Sequence, residues 1–331
     1  MTSMGINTLA IKDIEFVGKD FSQLNTLFER QLSFSVADQS SDCTVLQNGG
    51  AMVRLIKSEL QAGHVEKHGT SVKEVSFYVS DVETVVGRAE AAGADVISFA
   101  NGVASVEIYP GLLHRVYPAG SLQDERPSVQ PGFEVVSIDH LAICLPEHDF
   151  GMVTERYREV FGLHTSHEEY VATGVTAMNS VVLTDEREVT KLVFMQPQDG
   201  EKKSQIQAFI DEFGGAGIQH IAFEVRDIVQ ASNWLTDNGI SMLQVPDTYY
   251  DDLTGELEVL PYPLDALREA NVLVDEDGTG QLLQAFTRPV FERKTVFIEL
   301  VERRGNNGFG SGNIKSLFKA VEREMAASAK A

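Results

Sequence analysis

The chain is short of several things, and each shortage removes a class of function. Only two cysteines, Cys43 and Cys144, occur in 331 residues. No disulfide framework is implied, and a reducing compartment is expected. Positive charge is scarce: 27 Lys and Arg against 49 Asp and Glu give a formal net charge of −22. Nucleic acid and anionic membrane surfaces both call for clustered cations, so neither is an expected partner. No apolar run approaches the roughly 20 residues that cross a bilayer as a helix. The N-terminal MTSMGINTLAIKDIEF has no charged region followed by an apolar core. No secretory signal is read there, and the expected location is the cytoplasm. Catalytic signatures are missing too. There is no Gly-x-Ser-x-Gly elbow, and neither cysteine has an evident histidine partner, which leaves nucleophilic catalysis unsupported. The late GFGSGN stretch lacks GxGxxG spacing and a Lys-Ser/Thr pair, so nucleotide binding is discounted.

What is present is a soluble-protein composition, 43% hydrophobic, on a length that allows two domains or one duplicated one. In the first half, 9–17 reads as a strand and 21–34 as an amphipathic helix. Strands follow at 43–49 and 51–58, then a polar, loop-like stretch at 59–71. A strand at 72–82, a helix at 82–94 and strands at 104–111 and 114–120 complete the half. The Pro- and Ser-rich SLQDERPSVQPG is the best linker. The second half repeats the order, and VKEVSFYVSDV matches IQHIAFEVRDI in apolar pattern. This predicts an α+β chain of duplicated strand–helix–strands units, with residues 1–122 as one domain, 123–133 as linker and 134–331 as the other, ending in a helix over 313–328.

Histidines and a carboxylate mark the second half. TVFIELVER alternates as a strand and sets Glu299 among apolar neighbours, where a carboxylate needs a partner or a metal. His140 and His220 sit on two earlier strands in comparable settings, 80 residues apart, with Glu299 a further 79 along. Two neutral imidazoles and a carboxylate on one face, with other positions open, suit non-haem Fe(II). The aligned first-half positions read as Ile14, Glu74 and Glu107, so both histidines are missing there. The remaining histidines read as bystanders. His64 and His68 lie in HVEKH, which lacks the glutamate that a zinc-protease helix needs after its first histidine, and His114, His148, His164 and His167 fall in loops or at element ends.

The segments IDHLAICLP, AMNSVVLT, KSQIQAFIDEFGGAGIQHIAF, PDTYYDDL, NVLVDEDGTGQLLQAFT and FIELVERRGNNGFGSGNIKSLFKAVE span about 137–325. They resemble the 4-hydroxyphenylpyruvate dioxygenase and 4-hydroxymandelate synthase family of the vicinal oxygen chelate superfamily, and the first half resembles that family's degenerate N-terminal domain. The resemblance implies tandem βαβββ modules forming two half-barrel domains, with Fe(II) on His140, His220 and Glu299. It implies an arylpyruvate and O2 as substrates, decarboxylated and hydroxylated in one cycle. Gln205, Gln219 and Gln284 match amides near the substrate, Asn179 and Ser180 a polar pocket strand, and Phe286 and Phe309 aromatics that clamp its ring. Where the dioxygenase branch carries Pro-x-Asn, this chain has Val193-Phe194-Met195; where that branch has Phe, it has Ile314. Both departures resemble the mandelate synthase branch, which is the expected type, with the homogentisate-forming dioxygenase as alternative. A superfamily binding module without catalysis is the distant one. The family is often oligomeric, so a homo-oligomer is a possible assembly.

Overall fold

A computed structural model describes residues 8–119, 132–172, 177–198, 203–257 and 259–314. The linker segment and the closing helix of the sequence reading fall largely outside these residues. The first sheet comprises β1 (Thr8–Gly18), β2 (Ser35–Gln39), β3 (Cys43–Asn48), β4 (Ala51–Lys57), β5 (Ser71–Val79), β6 (Asp95–Ala100), β7 (Val103–Tyr109) and β8 (Leu112–Pro118), in the order β2-β3-β4-β1-β5-β8-β7-β6. The second comprises β9 (Val135–Cys144), β10 (His164–Ala172), β11 (Ala177–Thr184), β12 (Lys191–Gln198), β13 (Gly217–Val225), β14 (Leu273–Asp277), β15 (Gly280–Phe286) and β16 (Phe297–Arg304), in the order β10-β11-β12-β9-β13-β16-β15-β14. The two orders are the same. Each sheet is two βαβββ modules joined along their first strands, as the sequence predicts.

Helices α1 (Phe21–Asn25), α3 (Val82–Ala91), α4 (Phe150–Phe161) and α6 (Ile228–Asp237) are the module helices. Aspartates begin three of them: Asp20, Asp81 and Asp227 accept from the backbone N–H groups of the first turns. Two further helices, α2 (Ala62–His68) and α5 (Gln205–Phe213), link the modules at equivalent points of each half, and α7 (Asp247–Glu256) and α8 (Leu264–Glu269) decorate the last module. One large apolar core runs through both halves, from Phe16, Phe28 and Phe34 to Phe223, Tyr157 and Phe194. The second sheet's other face carries a separate apolar cluster around Met195, Met178 and Phe209.

Bulges recur in the same places. On β9, Ala222 faces His140 and Phe223 faces Ile138, so Asp139 is an extra residue; on β13, the pairs Ile218–Ile143 and His220–Ala142 leave Gln219 extra. The first sheet repeats this with Lys12 on β1 and Lys73 on β5. Register therefore fixes the internal alignment and corrects the sequence reading. The position of His140 is taken by Asp13, which faces Ser76 as His140 faces Ala222, and Ile14 corresponds to Leu141. Glu74 does stand where His220 stands. Glu299, opposite Ala222, corresponds to Arg115 opposite Ser76 on β8, whereas Glu107 lies on β7.

Those first-half residues close on themselves. The Arg54 guanidinium reaches Asp13 at 2.7 Å, Glu15 at 2.9 Å and Glu74 at 2.8 Å, and Arg115 adds a contact to Glu74 at 3.0 Å. A cation supplied by the chain itself bridges three buried carboxylates at the place where the second half gathers its histidines.

Other departures are local. Residues 59–71 contain α2 and the start of β5, not a loop. Strands β2, β6 and β10 escaped the sequence reading because they are mostly exposed edges without an inward apolar alternation. His167 accordingly lies within a strand.

Candidate metal centre

Each ligand position is set by pleat and bulge. On β9, Leu141 and Ile143 point into the main core while His140 and Ala142 point to the other face. The bulge at Asp139 turns that carboxylate toward the same face as His140, and the imidazole Nδ1–H donates to its Oδ1 at 2.7 Å. Asp139 is itself gripped by Arg303, at 2.6 and 2.9 Å. The bulge at Gln219 does the same for the second histidine, with His220 Nδ1–H directed at Gln219 Oε1 at 3.4 Å. Both imidazoles thereby present Nε2 inward, because an acceptor on Nδ1 selects that tautomer.

Glu299 completes the set. Its Oε2 lies 3.2 Å from His140 Nε2 and 3.2 Å from His220 Nε2. Two ligands bound at right angles with bonds of about 2.1 Å lie about 3 Å apart, the edge of one octahedral face. All three residues are buried, and their ligand atoms lie within 4.8 Å of one another. Among the described residues this is the one group of three or more His, Cys, Asp and Glu side chains so arranged. The other carboxylate oxygen is occupied: Gln284 Nε2 donates to Glu299 Oε1 at 2.8 Å, and Asn313 Nδ2 donates to Gln284 Oε1 at 2.9 Å. Gly310, at φ +71°, lets the final loop pass over this amide, since a Cβ there would stand 2.2 Å from Gln284 Oε1.

The electrostatics call for a cation. Burial alone would push the His140 pKa down, but Glu299 and Asp139 more than offset it and raise it to about 9. Burial would raise Glu299, yet the two imidazoles hold it at about 2. For His220 burial prevails and its pKa is lowered. A divalent ion would meet all three donors, so the donor set, the spacing and the buried carboxylate fit a metal.

Aromatic rings frame the centre. Phe297 stacks on His220 with centroids 4.6 Å apart, and Phe309 meets His140 edge-on at 5.7 Å. His167 stacks behind Phe309 at 5.9 Å. Met195 and Ile314 join one apolar cluster with Phe209 and Met178. Gln205, Gln219 and Phe286 line a cavity of about 610 Å³ with Phe297 and Thr295. Ser180 is buried on the Met195 face of β11, and its hydroxyl donates to the Glu169 carbonyl at 3.4 Å. Asn179 is not brought to the triad: the pleat turns it to the opposite face, into a groove with Gln196, Phe150 and Arg158. Sequence reasoning missed Asp139, Arg303 and Asn313. An acid directly before a strand histidine was the available signal for the first; the other two are distant in sequence and carried none.

Several known proteins are similar to this chain. A family model described as Glyoxalase/Bleomycin resistance protein/Dioxygenase superfamily matches residues 139–254. A 4-hydroxyphenylpyruvate dioxygenase from Aspergillus fumigatus is 34% identical over 296 residues, 80% of this chain and 73% of that protein. One from Yarrowia lipolytica is 32% identical over 98% of this chain and 87% of its own. The chain belongs to the 4-hydroxyphenylpyruvate dioxygenase family. Among solved structures, a triple mutant of 4-hydroxymandelate synthase from Streptomyces coelicolor superposes with a TM-score of 0.84 at 31% identity, covering 96% of this chain and 99% of that one. A fusion of a xylose isomerase-like TIM barrel with a 4-hydroxyphenylpyruvate dioxygenase, 22% identical at a TM-score of 0.79, shares the fold. Family membership makes this a dioxygenase with the metal-ready triad in the second half. No helix of the described residues is long and apolar enough to cross a membrane.

Proposed function

We propose that this chain is a non-haem Fe(II) dioxygenase that decarboxylates an arylpyruvate with O2 and hydroxylates the same molecule at its benzylic carbon, giving a mandelate. The observation that carries the reading is the convergence of His140, His220 and Glu299 on one face, each already fixed by a neighbour and none committed to another bond. Fe(II) held there would supply oxygen activation and the oxidative loss of CO2 from a chelated keto acid. The chain's own residues do the rest. Asp139 and Gln219 hold the imidazoles with Nε2 inward, and Gln284, locked by Asn313, keeps Glu299 from turning. Phe309 and Phe286 offer ring faces for an aryl group. Gln205 and Gln219 offer amides in the adjoining cavity.

The benzylic outcome rests on Met195 and Ile314, which join Phe209 of α5 in one apolar cluster on the metal's side of the sheet. An apolar wall has no donor with which to fix the ring over the site of oxygen transfer, and so favours the benzylic carbon as the nearer target. The second reading, ring hydroxylation with side-chain migration to a homogentisate, is favoured by the curated relatives, which carry the dioxygenase name. Incubation of the iron-loaded protein with 4-hydroxyphenylpyruvate, O2 uptake and mass spectrometry of the product separate the two. A mandelate is expected. Homogentisate as the main product replaces the first reading with the second, and absence of O2 uptake with any arylpyruvate removes both.

A further inference from the structure

The cavity of about 610 Å³ has two walls, and one short helix of the first half holds both. One wall is α5, which contributes Gln205, Ala208, Phe209 and Glu212; the other is the connection between β15 and β16, which contributes Thr287, Lys294 and Thr295 among others. The helix α2 is the counterpart of α5 in the duplicated fold, and the two pack together. At the C-terminal end of α2, His68 Nδ1–H donates to the Phe213 carbonyl at 2.8 Å, and its ring stacks on Phe213 at 4.4 Å. Phe213 stacks in turn on Phe209 at 5.1 Å, and Phe209 faces the cavity. From the other wall, Arg293 donates to the Lys67 carbonyl at 2.5 Å and the Glu66 carbonyl at 3.4 Å, the free carbonyls of the α2 end. Gly69, at φ +72°, leaves room for this arm, since a Cβ there would stand 2.8 Å from Arg293 Cδ.

We propose that α2 is a brace that sets the width of this cavity, with Arg293 and His68 as positioning residues for the substrate. The inference rests on the reading of the cavity as the arylpyruvate's. The two walls are some 80 residues apart in sequence (213 to 293) and share this fixed point. Releasing it loosens both, which costs binding and shape selectivity while leaving the metal ligands on their strands.

The experiment compares wild-type protein with Arg293→Met, Arg293→Lys and His68→Phe. Hydrogen exchange needs no substrate: Arg293→Met is expected to quicken amide exchange in both 205–213 and 287–296, with Arg293→Lys restoring most of the protection. Faster exchange in 287–296 alone overturns the brace. With 4-hydroxyphenylpyruvate, KM is expected to rise about fivefold or more while kcat stays within about twofold and bulkier ring substituents are better accepted. An unchanged KM in a variant whose exchange has quickened also overturns it. Wild-type protein without arylpyruvate turnover sinks the substrate reading, and the exchange result then decides the brace alone.

Discussion

Gln284 holds one oxygen of Glu299 at 2.8 Å and leaves the other facing two imidazoles. The amide is fixed in its turn by Asn313, so the direction of the carboxylate depends on a residue at the head of the final segment. Replacing Gln284 by Leu removes the donor and frees the carboxylate to rotate. Iron affinity is expected to fall about 10- to 100-fold, the usual range when a ligand loses its supporting hydrogen bond. Titration with Fe(II) under anaerobic conditions reads this directly, and wild-type affinity in the variant would dismiss the role.

Glu299→Ala should abolish iron retention and O2 uptake together, because the two imidazoles alone cannot hold the ion in a carboxylate's place. Metal analysis after gel filtration, paired with an oxygen electrode, makes the test. A binding module would keep its affinity for an aromatic keto acid in this variant, so calorimetry with phenylpyruvate separates that reading from catalysis.

Arg54 offers a contrast within the same chain. Its removal as Arg54→Met leaves Asp13, Glu15 and Glu74 buried without their common partner. Breaking a buried charge network at one side costs about 3–5 kcal/mol. Urea unfolding should register that loss, while iron content of the folded fraction stays at the wild-type level. A fall in iron stoichiometry would show that the two halves are not independent.

His114 gives a pH dependence with a definite sign. It is fully buried, its Nδ1–H directed at the Val75 carbonyl at 3.3 Å and its Nε2 accepting from the Tyr157 hydroxyl at 2.6 Å. Burial pushes its pKa from 6.5 down to about 4. The unfolded chain takes up the proton from about pH 6.5, and the folded chain refuses it until about pH 4. Its contribution is thus whole above about pH 6.5 and erodes through that window, by at most about 1.4 kcal/mol per pH unit. The difference in stability between wild type and His114→Gln should shrink on acidification from pH 7 to pH 4.5. A difference that stays constant would place the acid sensitivity elsewhere.

The duplicated architecture was legible because alternation and turn residues survive duplication even where side chains have changed. The triad was legible because histidine and glutamate are conspicuous on otherwise apolar strands. The internal alignment slipped by one residue at Ile14 and by a whole strand at Glu107, which lies on β7; register alone shows Asp13 and Arg115 in those places. Residues 59–71 looked like a loop because α2 is short and exposes charged side chains, and its value lies in what its last turn touches. Asn179 was drawn to the pocket by its neighbour Ser180, although adjacent strand residues face opposite ways. Arg303 and Asn313 act on the ligands through Asp139 and Gln284, partners 164 and 29 residues away in the chain, and only folding brings them near.

The two surplus residues, Asp139 and Gln219, have a consequence for how such a chain can decay. Deleting either codon would mend the strand, since the pairing on both sides of the gap already has its proper partners. The imidazoles would keep their direction and lose their anchors. Loss of activity here can therefore come from a tidier sheet: silently in the case of Gln219, and in the case of Asp139 together with the stability lost when the buried Arg303 is left without its carboxylate.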